Sequence, residues 1–145
     1  MIDGHKNLFG RFPVLGQLQG GTADVYICEH PALDQVVAIK VPRRVHAQQQ
    51  LTTVEIRLLL SMPPNPSVVP ILFAEEWQGI LYFGMECIAG RTKIGETLRA
   101  YLHASRPPLQ WSGRQVVSVM RGLEHAYTST GLLHLDIKPD NILVD

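Results

Sequence analysis

The sequence predicts an α+β fold, strand-rich in its first half and mostly helical in its second. Short β-branched runs bounded by turn residues fill Phe12 to Val41 and return between Val68 and Glu86. Apolar residues take a helical period at Leu51, Val54, Leu58 and Met62, and again beyond Ser112. Proline clusters, Pro63-Pro64-Asn65-Pro66 and Arg106-Pro107-Pro108, divide these stretches. At 145 residues the chain has the size of one domain.

Taken in order, Val25-Tyr26-Ile27-Cys28 and Val36-Val37-Ala38-Ile39 read as strands joined by the turn Pro31-Ala32-Leu33-Asp34. Gly20-Gly21, ahead of the first, suits a flexible hairpin tip. A helix is predicted within Val45 to Met62, and strands over Val68–Ala74 and Ile80–Glu86 around Gln78-Gly79. Thr97–Ala104 reads as a short helix. A longer helix, N-capped by Ser112, runs to about Thr130 and stops at Gly131. A loop and the apolar run Ile142-Leu143-Val144 complete the order β-β-β-α-β-β and then helix.

Composition narrows the function classes. Apolar residues make up 46% and charged residues 18%, which excludes an intrinsically disordered chain. Lys plus Arg (13) balances Asp plus Glu (13), giving no electrostatic reason to bind nucleic acid or an anionic membrane. The longest apolar stretches, Val68–Ala74 and Ile80–Met85, fall far short of the roughly 18 residues a membrane helix needs. Met1-Ile2-Asp3-Gly4-His5-Lys6 lacks the layout of a signal peptide. Cys28 and Cys87 lie far apart and read as buried thiols in strands, without zinc or disulfide spacing. A cytoplasmic setting is the expectation. His5, His30, His46, His103 and His125 show no metal spacing and are expected at the surface or in loops.

The chemistry concentrates in His134-Leu135-Asp136-Ile137-Lys138-Pro139-Asp140-Asn141. An Asp with an Asn five residues on suits phosphoryl transfer: the carboxylate accepts a hydroxyl proton, and the amide oxygen holds magnesium. A Lys two residues after the Asp offsets charge on the transferred group. Asp and Asn also form ordinary polar turns, but the full H-x-D-x-K-P-x-N string is too specific for that alone. It resembles the catalytic loop of protein kinases, in the serine/threonine version. The resemblance implies Asp136 as catalytic base, Lys138 on the γ-phosphate and Asn141 on magnesium. Leu135 stands where many kinases carry an Arg that pairs with a phosphorylated activation loop, so it argues against that form of control.

Val37-Ala38-Ile39-Lys40 is similar to the third-strand kinase motif. A Lys at the end of a buried strand is costly unless paired. Glu55, fifteen positions on and the only acidic residue between Asp34 and Glu75, is its expected partner on the following helix. Leu18-Gln19-Gly20-Gly21-Thr22-Ala23-Asp24-Val25 aligns with the family's phosphate loop but keeps only the central glycine, Gly20, with Gly21 beside it. Tyr82 to Gly90 resembles the strand-to-hinge segment. The resemblance implies Met85 as gatekeeper, backbone groups of Glu86 and Ile88 on adenine, and Val25, Ala38 and Leu143 around the ring. Leu59, Ile71 and His134 match an internal hydrophobic stack.

The resemblance thus implies a kinase-like fold binding ATP and Mg2+, with protein substrates bearing Ser or Thr. It divides the chain into a strand lobe over about 12–86, a hinge over 87–92 and the start of a helical lobe over 93–145. Four residues follow Asn141, whereas the family's D-F-G motif lies roughly a dozen residues beyond it, so the expectation is a partial kinase domain inactive by itself. The helix from Ser112 to Thr130 is apolar around more than one face, which implies self-association when its neighbours are missing. The competing readings are a non-catalytic nucleotide-binding or scaffold module and an aminoglycoside-type phosphotransferase, which shares the H-x-D-x-x-x-x-N spacing.

Overall fold

The computed structural model describes residues 6–19, 23–43, 53–89 and 94–145. They fall into two compact units, one formed by Met1–Leu60 and Pro70–Cys87, the other by Ser61–Val69 and Ile88–Asp145.

The first unit is built on a six-stranded antiparallel sheet. Its strands are β1 (Asn7–Leu8), β2 (Phe12–Gln19), β3 (Ala23–His30), β4 (Gln35–Pro42), β5 (Ile71–Trp77) and β6 (Ile80–Glu86). Their spatial order is β1-β2-β3-β4-β6-β5. Two hairpins follow directly from turn chemistry. Phe9 and Gly10 both take positive φ (57° and 68°), as do Gln78 and Gly79 (49° and 78°), the geometry that matches the strands' own twist. Leu15 and Leu72 are the residues skipped where the register shifts, between Val14 and Gly16 and between Ile71 and Phe73; both side chains are exposed.

One face of the sheet carries the core. Tyr26, Cys28, Val37, Ile39, Val41 and Tyr82 cluster there with Leu8 and Phe12. Phe12 stacks on Phe73 at 5.9 Å, and Phe9 lies 4.4 Å from Tyr82 and 5.0 Å from Trp77. His30, expected at the surface, is instead buried, its ring 5.6 Å from Phe12 and 5.1 Å from Phe73. Its Nδ1 accepts the N–H groups of Ala32 (3.2 Å) and Leu33 (3.0 Å), so a polar ring is satisfied inside an apolar cluster. Cys28 is a buried strand thiol, and burial pushes it up to about 12. Cys87 departs from expectation: it is half-buried and lies just past the end of β6.

Helix α1 covers Thr53–Ser61. The sequence predicts it within Val45 to Met62, of which residues 45–52 lie outside the described residues, as does the Gly20-Gly21 tip. The strand expected from Val68 starts instead at Ile71 and runs on to Trp77. Pro70 has no N–H for a ladder, although its carbonyl still accepts from Glu86 N at 3.0 Å.

In the second unit, α2 (Leu98–Ala104) is capped by Thr97, whose Oγ1 accepts from Ala100 N at 3.2 Å. Helix α3 runs from Leu109 to Thr130 and ends at Gly131, which supplies the left-handed φ of 72° and donates to Tyr127 O. Its start corrects the expected Ser112 cap. Pro108 sits just outside the helix and its carbonyl accepts from Ser112 N (3.2 Å), making Ser112 the first i→i−4 donor, already inside.

The loop ahead of β5 is fastened to one stripe of α3. Ser67 Oγ and Ser118 Oγ lie 2.8 Å apart, and His125 Nε2 lies 2.8 Å from Pro63 O. Between them, a β-carbon on Gly122 would stand 2.7 Å from Ser67 O, so only glycine permits this approach. Within the loop, Asn65 Oδ1 accepts from Ser67 N at 2.8 Å.

Candidate active site

The expected residues fall in both units. In the first, strand register gathers five of them. Leu18 pairs with Val25, Val25 with Lys40, and Ala38 with Met85. Directly opposed residues share a sheet face, as do residues two apart along a strand. Leu18, Val25, Lys40, Ala38 and Met85 therefore line one face, opposite the one carrying Ile39, Val41 and the aromatic core.

That placement corrects one expectation. Lys40 is exposed, not buried, and takes part in none of the ion pairs among the described residues. It points away from the core while its strand neighbours Ile39 and Val41 point in. Glu55 stands in the first turn of α1, half-buried. On the opposite face, Arg43 just past the end of β4 makes a forked bond to Asp24, with Nη2 to Oδ1 at 2.8 Å and Nε to Oδ2 at 3.3 Å. The Arg43 hydrogen bond holds the Asp24 carboxyl below its ordinary range.

In the second unit, the loop after α3 brings three expected residues together. Asp136 Oδ2 accepts from Lys138 Nζ at 2.8 Å and from Asn141 Nδ2 at 3.0 Å, and the same amide donates to Asp136 O at 2.8 Å. These bonds, Lys138's first and Asn141's second, hold the Asp136 carboxyl below its usual value. Its side chain remains 60% exposed.

Two local devices give the loop this shape. Leu135 adopts φ 57°, and Asp136 N donates to His134 O at 2.8 Å, closing a three-residue turn around a non-glycine residue. Pro139 then opens a 3-10 turn, Pro139–Asn141, in which Asn141 N donates to Lys138 O at 2.9 Å. His134, expected to pack inside, is exposed; its Nδ1 faces Asp136 N at 3.3 Å.

Sequence reasoning missed how the loop is tied down. Arg99 on α2 binds Asp140 through Nε–Oδ1 at 2.7 Å. Leu98 N donates to Ile142 O (2.7 Å) and Val144 N to Glu96 O (2.9 Å), with Thr97 bridging Leu143. Of the residues whose backbones were expected on adenine, Glu86 N donates to Pro70 O at 3.0 Å and Ile88 O accepts from Gly95 N at 2.9 Å. Among the described residues, no group of three or more His, Cys, Asp or Glu side chains is arranged to hold a metal, and no helix is long and apolar enough to cross a membrane.

Comparison with known proteins matches residues 11–145 to the protein kinase domain. The serine/threonine-protein kinase PrkC of Bacillus subtilis (strain 168) is 31% identical over 97% of this chain, which spans 22% of that protein. CBL-interacting protein kinase 11 of Oryza sativa subsp. japonica is 26% identical over 100% of the chain, covering 29% of its own length. The crystal structure of the Mycobacterium tuberculosis PknI kinase domain superposes with a TM-score of 0.80 at 20% identity, over 99% of this chain and 59% of that one. That likeness establishes the antiparallel sheet and helices as the kinase fold. The family match decides against the small-molecule phosphotransferase reading. It takes in residues 11–145, and with a serine/threonine-protein kinase among the relatives the chain belongs to the protein kinase family.

Proposed function

We propose that the chain is the nucleotide-binding part of a serine/threonine protein kinase, which moves the γ-phosphoryl group of ATP to a Ser or Thr hydroxyl of a protein. The observation that carries this reading is the convergence of Lys138 and Asn141 on the single oxygen Asp136 Oδ2. A carboxylate fixed by these two bonds and open to solvent is placed to accept the hydroxyl's proton. Lys138, already beside it, supplies a fixed positive charge for the transferred group.

The face formed by Leu18, Val25, Ala38 and Met85 supplies apolar cover for adenine, with Lys40 on the same face as the cation for the phosphates. Gly20 and Gly21 belong to the proposed phosphate loop, Glu55 to the partner of Lys40, and the backbones of Glu86 and Ile88 with Leu143 to the adenine site. Residues 12–86, 87–92 and 93–145 take the roles of strand lobe, hinge and helical lobe.

Asn141 fits a magnesium site: its Nδ2 is committed to Asp136, which leaves a hard amide oxygen for the ion. Magnesium, when bound, neutralises charge on the phosphates. The 145 residues hold no D-F-G triplet, so by themselves they are expected to transfer phosphate negligibly. That leaves nucleotide binding without turnover as the reading for the isolated polypeptide.

The test is phosphotransfer to a protein substrate by the catalytically complete kinase. Asp136→Ala is expected to lose about 10²–10⁴-fold in rate while keeping ATP affinity. A fall in ATP affinity in step with rate makes Asp136 structural and ends its assignment as the base. Lys40→Ala is expected to lose most transfer, and normal turnover removes Lys40 from the site.

A further inference from the structure

A groove with a cavity volume of about 810 Å³ runs along the second unit, away from the Asp136 loop in sequence and chemistry. One wall is Asn65-Pro66-Ser67. The other is a single stripe of α3, on which Arg114, Ser118 and Arg121 follow Gln110 and Gly113.

The groove is preformed. Asn65 Oδ1 holds Ser67 N, the Ser67 and Ser118 hydroxyls are bonded across it, and the Ser67 backbone lies close against Gly122 of α3. Its charge has one sign. No Asp or Glu lines it among the described residues, and neither Arg114 nor Arg121 takes part in an ion pair among them.

Gly113 adds a second, independent observation. Glycine is the poorest helix former after proline, and Gly122 is explained by Ser67. Nothing lies within 4 Å of where a β-carbon on Gly113 would stand, so no packing in the described structure requires glycine there. It leaves a bare stretch of floor beside Arg114.

We propose that this groove docks an extended acidic segment of a partner protein. Seven helical residues set the backbone positions of Arg114 and Arg121 about 10 Å apart along one side of α3. One turn of a polyproline-II segment advances about 9 Å and returns the side chain to the same face, so carboxylates at positions i and i+3 of such an extended segment meet both arginines. An apolar residue between them lies beside Val117, which also lines the groove. The surface is independent of phosphotransfer and of the nucleotide.

The test uses the full chain and a fluorescein-labelled hexapeptide carrying Glu at its second and fifth positions with valine between them. Anisotropy at low salt is expected to show saturable binding that weakens as salt rises. Arg114→Gln and Arg121→Gln should each weaken it about two- to fivefold, and the pair about tenfold. Gly113→Leu, with open space for its side chain, should block the groove while leaving the melting temperature at least as high. Amide shifts on titration should centre on Asn65, Ser67, Gly113 and Ser118. No binding up to millimolar peptide, equal binding of the Gln-for-Glu peptide, indifference to the double substitution, or shifts centred elsewhere would each overturn the proposal.

Discussion

The ring of Phe73 occupies the space where a β-carbon on Gly84 would stand. Phe73 on β5 and Gly84 on β6 are cross-strand partners, and the missing side chain lets the ring lie flat over the sheet toward Phe12 and His30. Gly84→Ala therefore forces Phe73 out of the aromatic core. Overpacking of this kind costs about 1–3 kcal/mol, and this site should reach the upper end. Urea unfolding followed by tryptophan fluorescence checks it; a loss under about 0.5 kcal/mol means that the ring relocates freely.

Leu8 lies ahead of the residues matched to the kinase domain, yet it is 0% exposed and belongs to the central cluster. The short β1 hairpin folds it against Phe12. Leu8→Ala should cost about 2–5 kcal/mol through the cavity left behind. The same urea titration measures it.

Glu75 on β5 ties β6 to the turn between β1 and β2: its Oε2 accepts from Tyr82 Oη at 2.6 Å and from Arg11 Nη1 at 2.7 Å. Burial pulls the Glu75 carboxyl up, but the bonds from Tyr82 and Arg11 outweigh it and leave it below its ordinary 4.5. Burial, reinforced by Glu75, raises the Tyr82 hydroxyl above its ordinary 10.0. A lowered carboxyl stabilises the fold above its unfolded pKa, and that gain is lost as acid protonates it. A raised phenol stabilises below its unfolded pKa, and that gain is lost in alkali. Melting temperature should fall in acid below the ordinary carboxylate value and in alkali, where the raised Cys28 thiol and Tyr26 hydroxyl add to the loss. Tyr82→Phe should shrink the alkaline limb and blunt the acid one; an unchanged profile means the network contributes nothing to pH dependence.

Leu135 is 88% exposed, so packing does not hold its φ of 57°; the turn closed by Asp136 N does. Glycine accepts that conformation freely and valine does not. In the complete kinase, Leu135→Gly should keep kcat close to wild type. Leu135→Val should lower it about 10–10²-fold, through displacement of Asp136, with little change in KM for ATP. Equal kcat for both variants would show that the turn does not position Asp136 for turnover.

On α3, Leu109, Val116, Met120 and Tyr127 form an exposed apolar stripe, with Leu109 87% exposed. The isolated 145-residue chain should self-associate through it. Light scattering should show species larger than a monomer, and Val116→Lys with Met120→Lys should reduce them. A monodisperse monomer would end this expectation.

What the sequence made legible was mostly local. The Pro31–Asp34 turn, the Gln78-Gly79 hairpin, the short helix ending at Ala104 and the Gly131 stop each follow from residues within a few positions of one another. The Asp136, Lys138 and Asn141 cluster was legible for the same reason, since six consecutive residues contain it. Nonlocal features left no such trace. Arg99 meets Asp140 across 41 residues, His30 is buried by rings from β2 and β5, and two-residue β1 is too short to show a period. The exposure of Lys40 was missed because a run such as Val37-Ala38-Ile39 gives no alternation from which to read its face.

The segment Ser61–Val69 belongs with the second unit although the chain on both sides of it belongs with the first. The backbone thus passes between the units at three points along the sequence, after Leu60, after Val69 and after Cys87. A gene cut at the Cys87 boundary would not yield two self-sufficient halves. The upstream product would keep Ser67 without α3, and the downstream product would keep Gly122 as an uncovered notch in its helix. The glycine that makes the close approach possible becomes, in such a fragment, only a weak point. Split versions of this chain should therefore regain their fold only when both pieces are supplied together, with Ser67 and Ser118 restored as neighbours across two polypeptides.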